Sequence, residues 1–174
     1  PLPLEPIRTL QQTQYQPFKS FLFIAYSGEG LDGGEYVFDP DVKSFLQAKI
    51  GFTNFEIEAI VHLRGVGNGQ GDRIEISAGG SLRLAELFEE AAQQMGVETL
   101  RKDEGIDLNL IYNTGNPFLQ GGVEAPVVRM FWEGWEETSR MPADTYQIIK
   151  VENLEETGKT LSMALMILGR ETQY

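Results

Sequence analysis

Four positions in this chain pair a chemically capable side chain with a setting that could present it. Glu29 follows an apolar run in AYSGEGLDGGEYVF, and Arg64 follows another in AIVHLRGVG. Arg140 opens a loop reading SRMPADT, and Trp132 stands beside Glu133, Gly134 and Trp135. A carboxylate in a strand-end turn can take a proton as a general base, or can serve as a surface or capping group. A guanidinium carries donors alone and stays protonated, so Arg64 and Arg140 suit an anion and cannot offer a lone pair to a metal. Trp132 with Trp135 could form an aromatic platform for a ligand, or could be partly buried at the end of a sheet.

Several chemistries are excluded by residue type. The chain has no cysteine, which removes disulfide frameworks, thiolate zinc sites and cysteine nucleophiles. His62 is the single histidine, so a multi-histidine metal site is impossible; alternating with Arg64 on a strand, it reads as a packed or hydrogen-bonded residue. Gly65–Gly71 (GVGNGQG) lacks the spacing of a phosphate loop and the lysine that follows one, so nucleotide binding is not expected. Glu133, Glu136 and Glu137 read as a solvated face without the fixed geometry of a cation site. Asp144 reads as a loop residue that bonds nearby backbone amides.

The elements that must carry these residues alternate between strands and helices. Leu4–Gln14 reads as a helix, with Ile7 and Leu10 on one face and Pro6 in its first turn. Ser20–Ser27 and Phe55–Leu63 are apolar runs of the kind buried on both faces of a parallel sheet, with the glycine-rich turn Gly28–Gly34 after the first. Arg73–Ser77, Gly105–Tyr112 and Pro126–Phe131 read as further strands. Helices are expected over Pro40–Ala48, over Ser81–Met95 with Ser81 as cap and Gly96 as stop, and over Asn153–Gly169. The pattern predicts an α/β fold with a mainly parallel central sheet, a single domain over residues 1–174. Phe21–Ser27, Glu56–Leu63 and Val127–Phe131 should be neighbouring strands, covered by the two later helices.

Composition is that of a globular protein, with 41% apolar and 23% charged residues, and 174 residues suffice for a substantial core. A net charge of −12 argues against nucleic acid and against docking on an anionic membrane surface. No apolar run approaches the roughly 18 residues of a membrane span. The opening PLPLEPIRTL reads as though cut from the middle of something longer.

The stretch Ser139–Arg170, SRMPADTYQIIKVENLEETGKTLSMALMILGR, closely resembles the C-terminal end of the co-catalytic di-zinc aminopeptidase family. In that family a zinc-binding His precedes a Thr-Pro-x-Asp-Thr loop and a closing helix; Arg140 occupies the His position here. The Gly28–Gly34 turn resembles the family's strand-end motif, with Glu29 at the general-base position and Gly30, or a small deletion, where a ligand Glu would follow. Arg64 stands at a position where the resemblance implies a ligand Asp. Asn116–Val128 loosely resembles the substrate-side loop through Phe118, Gly122 and Pro126. The resemblance therefore implies the later portion of a three-layer α/β/α zinc-peptidase domain without its metal ligands: no cofactor, and a role as a binding or structural module with a protein partner or a second copy. Two alternatives stay open. One is an active zinc aminopeptidase whose missing ligands come from an upstream segment or partner chain. The other is a binder of small anions clamped by Arg64 and Arg140, with Trp132 nearby. An extracytoplasmic location is slightly favoured by the family. In the complete family domain, upstream strands would cover the edge at Phe21–Tyr26, so that edge is expected to be filled by a partner, a second copy or the Pro1–Gln14 segment.

Overall fold

A computed structural model describes residues 4–25, 29–32, 35–38, 56–79, 81–102, 125–139, 141–142 and 144–171. The expected helix Pro40–Ala48 and strand Gly105–Tyr112 lie outside the described residues, as do Asn116–Gly122 and Arg140. The described elements are α1 (Leu4–Gln12), β1 (Glu29–Asp32), β2 (Glu35–Phe38), β3 (Ile60–Leu63), β4 (Ile74–Gly79), α2 (Leu82–Gln94), β5 (Thr99–Arg101), β6 (Val127–Trp132) and α3 (Val151–Leu168). Short 3-10 turns at Trp135–Glu137 and Tyr146–Ile148 lie between β6 and α3.

Four strands form one mixed sheet in the order β3-β6-β4-β5. β3 runs parallel to β6 and β4 parallel to β5, while β4 and β6 are antiparallel. The fold is thus a small α/β arrangement with two parallel pairs joined by an antiparallel one. The expected pairing of the Glu56–Leu63 and Val127–Phe131 strands is present, but the Arg73–Ser77 strand enters beside β6 in the reverse direction. Residues 20–25 form no strand. Phe21 and Phe23 pack against the main core and Leu22 is exposed, so side chains rather than a hydrogen-bonded ladder anchor this segment. The glycine-rich turn holds a hairpin instead: β1 and β2 pair antiparallel as a separate two-stranded sheet, Glu29 opposite Phe38.

Strand alternation divides the four-stranded sheet into two unlike faces. Ile74, Ile76, Val128, Met130 and Trp132 point into the main core together with Leu84, Leu87, Phe88 and Ala91 of α2. Leu161, Ala164, Leu165 and Leu168 of α3 join the same cluster. α2 lies on β4, β5 and β6, α3 packs along α2, and α1 packs on α3. The sequence explains the placement of α2: Leu84, Leu87, Phe88 and Ala91 recur at helical spacing. Its ends are also set locally. Ser81 accepts a hydrogen bond from the Leu84 amide at 3.1 Å, and Gly96 follows at φ +71°, a conformation that favours glycine.

Candidate functional site

The opposite face of the sheet is also buried: Ile60 and Val127 form a small apolar cluster at one end of it, and polar residues follow along the strands. His62 on β3 is registered against Arg129 on β6, and Arg129 against Ser77 on β4, so the three form a row across three strands. One step along, Phe131 faces Glu75, and Glu75 faces Leu100 on β5. Arg129 is 6% exposed and Glu75 3%, and His62 and Ser77 are buried with them. Charges this far from water persist only with partners. Glu75 has one in Lys102, whose ammonium lies 2.7 Å away and is itself half-exposed.

Arg64 continues this face past the end of β3. Its amide donates to the Met130 carbonyl at 3.1 Å, which carries the β3–β6 ladder one residue further. Its guanidinium lies 4.8 Å over the Trp135 ring, and Trp135 in turn stacks on Phe131 at 5.5 Å with the rings 9° from parallel. The positive charge of this face is felt by its histidine. Burial first, then Arg129, then Arg64 push the His62 pKa down from 6.5 to about 4. His62 is therefore a neutral imidazole at pH 7.

The glycine-rich connection Gly65–Gly71 ties the two faces together at the carboxyl end of β6. Gly65 sits at φ +56°, and a Cβ there would come within 2.5 Å of Trp135. Trp132 Nε1 donates to the Gly71 carbonyl at 2.8 Å, and the Gly71 amide donates to the Glu133 carbonyl at 3.1 Å. Arg73 grips Glu133 with two hydrogen bonds of 3.0 and 2.6 Å, which hold the Glu133 carboxyl below the usual carboxylate range. Lys150 closes the belt, its amide donating to the Gly67 carbonyl at 2.8 Å and its ammonium to the Gly69 carbonyl at 2.7 Å. The glycines thus serve close packing around two tryptophans.

The sequence-predicted residues are dispersed by this geometry. Arg64 is at a strand end on the polar face. Trp132 lies on the other face, buried in the main core, and the ring that meets Arg64 is Trp135. Glu29 opens β1 in the separate hairpin, and Arg140 lies outside the described residues. Glu136 and Glu137 are exposed, as expected of a solvated face. Arg129, Ser77 and Glu75 were not anticipated as a group. Their signal was a charged residue inside the apolar run VVRMFW and the polar alternation of IEIS, but only strand register shows that they share a row.

A zinc site does not fit the residues described. A guanidinium stacked on an indole stands where the resemblance implies an Asp ligand, and among the described residues no three His, Asp or Glu side chains are grouped as a metal would require. Also among the described residues, no helix is long and apolar enough to cross a membrane. No family model matches the chain, and no curated protein or solved structure matches it either.

Proposed function

We propose that this chain is a non-catalytic domain, built like the later portion of a zinc aminopeptidase with that family's three-layer α/β/α arrangement, and that it works as a binding or structural module within a larger protein or assembly. The observation that carries the reading is the Arg64 guanidinium packed over Trp135 at the carboxyl end of β3. A fixed cation there repels a dication, and its side chain has no lone pair to give. The polar face supplies order of a different kind, a buried row held by strand register rather than an open reaction centre. Under this reading the protein takes up no zinc and recognises its partner through its surface.

A second reading is a small-anion binder clamped by Arg64 and Arg140; the Arg64 guanidinium held over Trp135 at the end of β3 supports it. One experiment separates these from an active aminopeptidase. The full chain is dialysed against zinc without chelator, its metal content is measured, and an aminoacyl p-nitroanilide is offered as substrate. The expected result is negligible zinc and no turnover. Stoichiometric zinc with chelator-sensitive hydrolysis, lost in Glu29→Gln, overturns the proposal.

A further inference from the structure

The connection between Trp135 and α3 exposes apolar side chains in an acidic setting. Tyr146 is 80% exposed, Val151 70%, Met141 56% and Ile149 46%. These residues sit on a compact series of turns: the Asp144 amide donates to the Met141 carbonyl at 2.8 Å, and the Ile149 amide to the Tyr146 carbonyl at 3.3 Å. The segment is therefore shaped by its own hydrogen bonds and tethered to the glycine belt through Lys150 and the Ile149 side chain beside Gly67, while Met141, Tyr146 and Val151 are mostly exposed. Grouped exposure of this kind marks interaction sites more often than scattered single residues do.

The surrounding charge says what kind of partner fits. From Glu133 to Glu156 the sequence carries seven carboxylates and two cations, Arg140 and Lys150. Glu136, Glu137 and Glu152 are exposed and make no ion pair among the described residues, whereas the ammonium of Lys150 is turned onto the Gly69 carbonyl. We infer that Met141, Tyr146, Ile149 and Val151 form a docking surface for a basic amphipathic segment of a partner protein, its apolar side chains on these residues and its cations against Glu136, Glu137 and Glu152. A second copy of this chain would bring its own −12 charge to the same place, and an anionic lipid or nucleic acid would meet carboxylates. The exposed pair Phe18 and Leu22 flanks Lys19, which is paired with Glu58 at 2.7 Å, rather than a run of carboxylates, and serves as the internal control.

This inference rests on the binding-module reading and names its surface. The test uses the full chain, isotope-labelled, titrated with a synthetic peptide of Leu and Lys at helical spacing, the same residues scrambled, and a Leu–Glu version. The Leu–Lys peptide is expected to bind and to shift the amides of residues 136–152. Binding should weaken with salt, fall about tenfold or more in Tyr146→Ser with Val151→Ser, and fall again in Glu136→Lys with Glu137→Lys. Phe18→Ser should leave it unchanged. Equal binding of the scrambled peptide, or shifts spread over the acidic surface or centred on Phe18, overturns the inference. So does self-association that broadens residues 141–151 without any peptide. Stoichiometric zinc in the earlier experiment would remove the non-catalytic reading and leave a positive peptide map standing, whereas absent zinc with no localised peptide binding removes the docking surface alone.

Discussion

The two faces of the four-stranded sheet are made from alternate residues of the same strands, yet they are held by different forces. On one face Ile74, Ile76, Val128 and Met130 meet α2 and α3 through apolar packing. On the other, beside the small apolar cluster of Ile60 and Val127, His62, Arg129, Ser77 and Glu75 are also buried but are polar. The apolar face is stabilised by area removed from water and tolerates small shifts of a side chain. The polar row within the second face is stabilised only while each charge keeps its partner, so it fixes register and direction more tightly than it adds stability. A slip of one residue in β6 would carry Arg129 into the main core and Met130 onto the polar row.

The largest effect is expected on the apolar face. Phe88 is fully buried where α2 meets the sheet, and Phe88→Ala should destabilise the fold by about 3–5 kcal/mol. Denaturant unfolding of the two chains checks this. A loss below 1 kcal/mol would mean that α2 does not depend on this face, and the contrast between the faces would break.

The polar face should reveal itself through pH. His62 has a folded-state pKa lowered from 6.5 to about 4, so between those values the unfolded chain binds a proton that the folded chain refuses. Stability contributed by neutral His62 is fully present above pH 6.5 and is lost as the pH falls through this window, a total on the order of 3 kcal/mol. Because many carboxylates also titrate on acidification, the measurement is a difference: unfolding free energy against pH for the native chain and for His62→Gln. The variant should show a shallower loss between pH 6.5 and 4. Parallel curves would mean that His62 is not buried among Arg129 and Arg64 as described.

How much of this could be read from sequence follows the same division. α2 was legible because cap, helical period and stop glycine all agree at Ser81, Leu84–Ala91 and Gly96. α1 and α3 were legible from their apolar spacing rather than from a capping side chain, and β3 and β6 were found from their apolar runs. The direction of β4 was not, since a six-residue strand carries no local mark of which neighbour it will run against. Arg64 does follow β3 at its carboxyl end, but nothing in the sequence marked which of Trp132 and Trp135 would lie beside it. Strand alternation sends Trp132 into the core, and the turn at Gly134, at φ +76°, brings Trp135 round to the Arg64 side instead. The hairpin at Glu29 was read as a turn, although Asp32-Gly-Gly-Glu35 between short segments is a hairpin signal. The buried row was illegible because it needs two strand registers at once.

Where the two faces meet, at the carboxyl end of β6, a smaller but sharper test is available. Gly65→Ala places a Cβ against Trp135 and forces φ +56° on a residue that resists it, so a loss of about 2 kcal/mol is expected. Near-ultraviolet circular dichroism should change with it, since the Trp135–Phe131 stack must shift. Unchanged stability and an unchanged tryptophan signal would show that the belt is not packed on Trp135.

The smallest effect concerns the first turn of α2, the helix that covers the apolar face. Ser81 Oγ accepts from the Leu84 amide, satisfying one of the donors that a helix start leaves open. Ser81→Ala removes that acceptor and should cost about 1 kcal/mol, whereas Ser81→Asp should retain the cap. The size matters beside Phe88→Ala: if packing against the sheet holds α2 in place, losing the cap frays a turn without releasing the helix. Amide exchange distinguishes the outcomes. Faster exchange confined to residues 82–85 is expected, with residues 88–92 still protected by the core. Loss of protection along the whole helix would make the cap, and not the apolar face, the element that holds α2 on the sheet.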